Sequence, residues 1–151
     1  MTPVQAISTC LRKSFTFSGR APRSEFWWFQ AFLLLMILAL FACDFFLLGV
    51  GRGEEITLFL PLTDTFTLLT LPAFAASISR RFHDAGLPGL PASAAIVASY
   101  ASQFLFAHKP TGGLPVEWVP LLVEVLLLLV AVLPSRRSEN PYGPNPHEVT
   151  P

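Results

Sequence analysis

Four polar side chains lie inside long apolar stretches of this sequence, where an acid could carry a proton or a cation. Asp64 and Glu124 each lie eight residues into their stretches, whereas Asp44 and Gln103 lie near the ends of theirs. Carboxylates at membrane depth are costly and usually face a protein interior or an aqueous cavity. No Lys or Arg lies at a matching depth, so a simple ion pair cannot neutralise them. Three interpretations stay open: hydrogen bonds that hold helices together, a proton or cation path, and an acid exposed to lipid.

A second set of reactive side chains occupies two short polar blocks between the apolar stretches. The blocks contain Arg20, Arg23 and Glu25, and then Arg80, Arg81, His83 and Asp84. Cations beside a membrane span commonly bind lipid phosphates. The two acids are equally natural partners for the same cations, so a small salt-bridged cluster is the other interpretation.

Neither set predicts an enzyme. A His-Asp dipeptide such as His83-Asp84 occurs in metal-dependent phosphohydrolases, but those sites need several more ligands. The other histidines are predicted elsewhere, His108 on the opposite side and His147 in a Pro-rich tail. No Ser or Cys has a convincing His–acid pair within reach for nucleophilic catalysis. We therefore predict no catalytic residues, no metal site and no cofactor.

The apolar stretches that must position these groups are long enough to cross a membrane. They run over 26–50, 56–79, 90–107 and 116–133, and a spanning helix needs about 20 predominantly apolar residues. Apolar residues make up 52% of the chain and charged residues 13%, whereas a soluble domain has about 25% charged residues. Because the connections are short, consecutive helices must lie antiparallel and adjacent. The sequence predicts an all-α integral membrane protein, an up-down bundle of four transmembrane helices.

The basic residues are concentrated in alternate gaps between these stretches. Eight of the ten lie before the first stretch, between the second and third, or after the fourth, and the other gaps hold only Arg52 and Lys109. The positive-inside rule predicts this pattern for a four-span protein with both termini in the cytoplasm. Residues 1–25 would then be a cytoplasmic N-terminal segment, and 134–151 a cytoplasmic tail. No basic stripe exceeds two adjacent cations, so we predict no nucleic-acid partner.

The N-terminal segment has its own apolar periodicity. Its stripe consists of Val4, Ile7, Leu11 and Phe15, with Arg12 and Lys13 off the stripe. This pattern predicts a short amphipathic helix on the inner membrane surface. A frayed terminus that touches nothing is the alternative.

Small residues recur at four-residue steps in the third apolar stretch. Ala94, Ala98 and Ser102 form one such set. Because small residues let helix backbones approach closely in lipid, we expect the third spanning helix to be the most enclosed by protein.

Three blocks of the sequence are more specific than a membrane anchor requires. Residues 15–27 read Phe-Thr-Phe-Ser-Gly-Arg-Ala-Pro-Arg-Ser-Glu-Phe-Trp, 80–89 read Arg-Arg-Phe-His-Asp-Ala-Gly-Leu-Pro-Gly, and 139–146 read Glu-Asn-Pro-Tyr-Gly-Pro-Asn-Pro. In the order and spacing of these blocks the chain resembles the DUF805 family of small bacterial inner-membrane proteins, over essentially its whole length. It departs from that pattern at 87–89, which replace a Lys-Ser-Gly-like continuation, and at Pro141, which replaces a basic residue. The resemblance implies a bundle in the bacterial cytoplasmic membrane and implies no activity.

These observations predict a non-enzymatic interaction or structural module. Its cytoplasmic face would bind lipid headgroups, another membrane protein or a second copy of the chain. The alternative is a small transporter, or an ion- or proton-conducting subunit, that uses the intramembrane carboxylates.

Overall fold

The chain folds into helices throughout the part that the structure describes. The computed structural model describes residues 1–48, 60–106, 118–136 and 141–143. These form α1 (Pro3–Arg12), α2 (Arg23–Phe46), α3 (Pro61–Asp84), α4 (Leu90–Phe106) and α5 (Trp118–Ala131). The described ranges contain no strand, so the prediction of an all-α protein is confirmed. Both predicted outer loops, with Arg52 and Lys109, lie outside the described residues.

The first helix, α1, begins with a complete capping box. The Thr2 side chain accepts a hydrogen bond from the main-chain N–H of Gln5, while the Gln5 side chain accepts one from Thr2. Pro3 follows at the first helical position, where its missing N–H costs nothing. Ala6 and Cys10 are fully buried, because α1 packs against α2 and α3. The N-terminal segment is therefore a docked helix, and the alternative of a frayed terminus is excluded.

The second helix, α2, is the clearest candidate for a membrane span. Within the described ranges it is the only helix both long and apolar enough to cross a bilayer. Its 24 residues extend about 36 Å at about 1.5 Å per residue. The apolar parts of α4 and α5 are shorter, Leu90–Ser102 and Leu122–Ala131. One span is thus supported here, and the four-span arrangement is a proposal that we argue below.

The third helix, α3, lies at the centre of the fold. It packs against each of the other four helices, and every residue from Ala73 to Arg81 is buried. Pro72 cannot donate a hydrogen bond within the helix. In the preceding turns, Thr67 and Thr70 donate their hydroxyl hydrogens to main-chain carbonyls four residues earlier. These local bonds accompany the proline in an otherwise continuous helix.

The expectation that the third spanning helix would be the most enclosed is wrong. Of its two sets of small residues, Ala94 and Ala98 are exposed, whereas Ser99 in the set Ala95, Ser99 and Gln103 is buried. The longest unbroken run of buried residues lies in α3 and includes 73–79. The physical reason is the position of each helix in the bundle. Helix α3 packs against the four other helices, whereas the extensive contacts of α4 are with α3 and α5 alone among the described helices. Spacing alone does not say which face of a small-residue helix meets protein.

Helices α3 and α4 approach most closely at Gly89. A Cβ atom added there would lie 2.7 Å from the Cα atom of Ser79, so main chain would have to move. We expect Gly89→Ala to destabilise the protein by about 1–3 kcal/mol, as overpacking does. Thermal unfolding in detergent measures the effect. Pro88→Ala is the matched control at the adjacent exposed position, and an equal loss in both variants would contradict the close approach.

Candidate functional site

Asp84, at the last position of α3, is the centre of a buried group of charges. Its carboxylate accepts hydrogen bonds from Arg20, whose Nε lies 3.0 Å from Oδ1, and from Arg81 and the Ser135 hydroxyl at Oδ2. The main-chain carbonyl of Asp84 accepts from the N–H of Arg136 at 3.0 Å, and Arg20 also donates to the Arg136 carbonyl. The side chains of Arg81 and Asp84 are fully buried, so these bonds are shielded from water.

The guanidinium groups of Arg81 and Arg23 bind main-chain carbonyls at the C-terminal end of α5. Arg81 Nε donates to the Ala131 carbonyl at 2.9 Å, and another Arg81 nitrogen donates to the Leu133 carbonyl. Arg23 donates to the carbonyls of Val132 and Leu133. The last carbonyls of a helix have no partner within it and carry partial negative charge. Cationic donors therefore satisfy and stabilise this helix end.

Arg80 holds the segment between α1 and α2. Its Nη2 lies 3.2 Å from Glu25 Oε1, while Nη1 donates to the carbonyls of Lys13 at 3.0 Å and Thr16 at 2.8 Å. The thiol of Cys10 lies 3.6 Å from the same Glu25 oxygen. Burial, and then the charge of Glu25, raises the pKa of Cys10 to about 12, which leaves the thiol protonated and unreactive.

His83 and Arg20 bind the described part of the C-terminal tail. The rings of His83 and Tyr142 stack with centroids 3.9 Å apart and planes 5° apart. His83 Nδ1 lies 3.1 Å from the carbonyl oxygen of Gly19, and Arg20 Nη1 donates to the Gly143 carbonyl at 3.4 Å. Desolvation lowers the pKa of His83, against the opposing effect of the Gly19 carbonyl. The Tyr142 ring of the tail therefore stacks on an imidazole whose neutral form burial favours.

The structure brings together all seven charged or ionisable side chains of the two polar blocks. We call these residues the arginine cluster: Arg20, Arg23, Glu25, Arg80, Arg81, His83 and Asp84. Arg20, Arg80 and Arg81 make the contacts of the salt-bridged interpretation, with side chains at most 2% exposed, whereas Arg23 is exposed and donates to main-chain carbonyls. Burying charges is expensive unless they are paired and hydrogen-bonded. Carboxylates and main-chain carbonyls provide those partners, except for the Nε of Arg80, which is buried without one.

Three contributors to the cluster had no role in the sequence interpretation. Cys10 and Ser135 carried no recognisable signal, because a single Cys or Ser is uninformative without knowledge of its neighbours. Tyr142 lies in the third block, residues 139–146. An aromatic residue between two prolines in a polar tail was the signal that could have indicated a packing role. Its stacking on His83 explains why a tail segment should have a specific sequence.

Two of the four polar residues that the sequence places inside the membrane act at the start of α3. Asp44, near the end of α2, is fully buried and accepts hydrogen bonds from the main-chain N–H groups of Leu62 and Thr63 and from the Thr63 hydroxyl, at 2.7–3.1 Å. Asp64 accepts from the N–H of Leu60 at 2.9 Å. Both carboxylates therefore satisfy N–H groups at a helix N-terminus, where negative charge is favourable.

Glu124 lies apart from that arrangement. Glu124 is part of the inward stripe of α5, together with Leu127, Leu128 and Ala131, the last three of which pack on the hydrophobic core. Tyr100, on the neighbouring helix α4, packs against the same core. The side chain of Gln103 lies outside the described part of the structure. Asp44, Asp64 and Glu124 therefore do not form one polar group, because the first two serve the start of α3 and the third lies on α5.

No group of His, Cys, Asp and Glu within the described ranges could hold a metal ion. The cysteines described, Cys10 and Cys43, are not joined by a disulfide. Guanidinium groups hold carbonyls and carboxylates from several chain segments at one end of the bundle.

The fold and site define a class of helical protein with one apolar helix of membrane-spanning length and a buried arginine cluster at the start of that helix. A model of the family described as "Protein of unknown function (DUF805)" matches residues 14–144, which include all seven residues of the cluster. The chain therefore belongs to the DUF805 family. Comparisons with curated proteins and with solved structures gave no match.

Proposed function

We propose that this protein is a multi-pass protein of the bacterial cytoplasmic membrane with four spans and cytoplasmic termini. Support comes from the apolar surface, since large side chains of α2, α3 and α5 are well exposed, among them Leu35 at 68%, Leu69 at 75% and Leu126 at 62%. An exposed apolar belt of this kind needs a covering, and lipid provides one for helices. The basic residues are concentrated in alternate gaps between the apolar stretches, and this asymmetry sets the orientation of the helices in the membrane.

Its function is that of a non-enzymatic interaction or structural module, which works through the end of the bundle that carries the arginine cluster. The observation that supports this function is the cluster itself. Its buried ion pairs join the α1–α2 connection, the start of α2 and the end of α3, and its arginines donate hydrogen bonds to main-chain carbonyls at the end of α5 and in the tail. A membrane anchor has no need of such specific buried charge. Its use here is to hold four segments in one arrangement that a lipid or protein partner can recognise.

Crosslinking in intact membranes tests this function. A photoreactive residue at exposed Pro88 or Pro141, beside the cluster, should give a discrete adduct with a membrane protein, with a lipid or with a second copy. The same probe at Leu69, on the apolar belt, is the matched control and should give only diffuse lipid adducts. Recovery of the protein alone from both cluster positions would contradict the module. Release of the protein by alkaline carbonate would contradict the multi-pass arrangement.

The runner-up function, a proton- or ion-conducting subunit, depends mainly on Glu124. Asp44 and Asp64 already accept hydrogen bonds from main-chain N–H groups, whereas Glu124 lies on the inward stripe of α5 near Tyr100. Glu124→Gln separates the two functions in proteoliposomes. A proton or cation flux that wild type shows and this variant loses, with the protein still folded, would favour transport.

A further inference from the structure

Helix α1 has two faces with different surroundings. One face packs on the bundle through Ala6 and Cys10, both 0% exposed. On the other face Val4 is 75% exposed and Leu11 is 44% exposed, and Phe15, just beyond the helix, is 81% exposed. Within the described ranges no element covers these three side chains. A helix that is fixed on one side and apolar on the other presents its free apolar face to whatever surrounds it.

Two exposed cations lie at the C-terminal end of α1. Arg12 and Lys13 are both exposed, and the one hydrogen bond of the Arg12 side chain goes to the carbonyl of Ser8 in its own helix. Neither cation has a carboxylate partner among the described residues. The cluster cations Arg80 and Arg81 differ, because they are buried and paired. Arg12 and Lys13 are therefore available to an outside anion, and among the described residues at this end Arg23 and Arg136 are exposed as well.

The position of α1 along the bundle is fixed by contacts at its C-terminal end. Cys10 touches Glu25, in the first turn of α2, and the carbonyl of Lys13 accepts a hydrogen bond from Arg80. Trp27 and Trp28, in the same part of α2, are 38% and 45% exposed, and exposed indoles favour the membrane interface. The two free cations thus lie at the level where the apolar helix α2 begins and where headgroups would be.

We propose that this surface, formed by Val4, Leu11, Arg12, Lys13 and Phe15, docks on the headgroups of anionic phospholipids. We call it the α1 surface. Apolar side chains that enter the acyl boundary, flanked by cations for the phosphates, are the complement of an anionic lipid interface. The inference rests on the proposed membrane location and deepens it, since it names the partner. It also assigns headgroup binding to Arg12 and Lys13, away from the buried arginines.

Lipid binding to the purified full-length protein tests the α1 surface. Native mass spectrometry in a neutral detergent would measure the affinities for phosphatidylglycerol and for phosphatidylcholine. We expect the double variant Arg12→Gln/Lys13→Gln to bind phosphatidylglycerol about 25-fold more weakly, from about five-fold for each cation near a lipid surface. Binding of phosphatidylcholine should not change. Both side chains are exposed, so the variant should fold normally.

A charge-matched variant and an apolar variant complete the design. Arg52→Gln/Lys109→Gln removes the same charge from the predicted outer loops and should leave the affinity for phosphatidylglycerol within about two-fold, because screening limits charge effects to about 8 Å. Leu11→Gln/Phe15→Gln removes the apolar contact and should weaken binding of both lipids. Equal losses in the two charge variants, or no loss in the first, would overturn the inference. Displacement of bound phosphatidylglycerol by soluble glycerol phosphate at the same concentration would also overturn the inference. The site would then recognise a free phosphate and not a lipid.

The outcomes separate this inference from the proposed function. A protein that resists carbonate extraction and crosslinks at Pro88 or Pro141, yet shows no preference for anionic lipid, would retain the proposed function and lose the α1 surface. A protein that carbonate releases would lose the membrane location, whatever its affinity for phosphatidylglycerol.

Discussion

Asp84→Ala is expected to destabilise the protein by about 3–5 kcal/mol, the usual cost of removing one partner from a buried ion pair. The carboxylate of Asp84 accepts hydrogen bonds from Arg20, Arg81 and Ser135. Its removal leaves two nearby guanidinium groups that are at most 2% exposed and no acid to balance their charge. The end of α5 should loosen as well, because Arg81 also holds the Ala131 carbonyl.

The midpoint of thermal unfolding in detergent measures this loss, and abundance in membranes serves where the variant is too unstable to purify. Asp64→Ala is the matched control: it also deletes a carboxylate of α3, but one that serves a single local N–H and costs about 1 kcal/mol as an N-terminal cap. A midpoint for Asp84→Ala no lower than that of Asp64→Ala would show that the buried cluster contributes little to stability.

The main lines of the fold were accessible from sequence because they depend on local patterns. The stripe that includes Val4 and Leu11 predicted a helix, and Pro3–Arg12 forms one. The two polar blocks were recognisable as more than topology signals, and the structure brings their charged residues together. What the sequence could not supply were the main-chain partners. The carbonyls of Ala131 and Leu133, which Arg81 holds, carry no signature in the identity of those residues.

Asp44 shows why an isolated acid in an apolar stretch is hard to interpret. A helix-capping side chain is normally sought immediately before the helix it caps, where this chain has Leu60. The carboxylate that satisfies the first N–H groups of α3 comes instead from α2, and its acceptor bond to Thr63 crosses 19 positions. Proximity of this kind is a property of helix packing. The same limit applies to the small residues of α3 and α4. Ala76 in α3 is buried and Ala98 in α4 is exposed, although the two side chains are identical, so residue type does not tell which helix is enclosed.

Glu25 and Arg80 should be strongly coupled, and a double-mutant cycle will show it. Either Glu25→Met or Arg80→Met leaves a buried charge without its partner and is expected to cost about 3–5 kcal/mol. The double variant removes both charges and places apolar side chains of similar volume together. We expect the loss of stability in the double variant to be at least about 2 kcal/mol smaller than the two single losses added together. This is in the upper range of couplings between residues in contact. It should remain less stable than wild type, because the carbonyl of Thr16 loses the Arg80 donor and the carbonyl of Lys13 keeps only the N–H of Thr16.

The thiol of Cys10 provides a local readout for the same cycle. In wild type it is fully buried beside Glu25, so alkylation should be slow in a Cys43→Ser background. Either single replacement should raise the alkylation rate, because an uncompensated charge favours local opening toward water, and the double replacement should return the rate toward wild type. Arg12→Gln combined with Glu25→Met is the uncoupled control and should be additive within about 0.5 kcal/mol. Strict additivity of Glu25→Met and Arg80→Met would mean that each residue acts separately, and the α1–α2 connection would then owe its position to the carbonyl contacts of Arg80 alone.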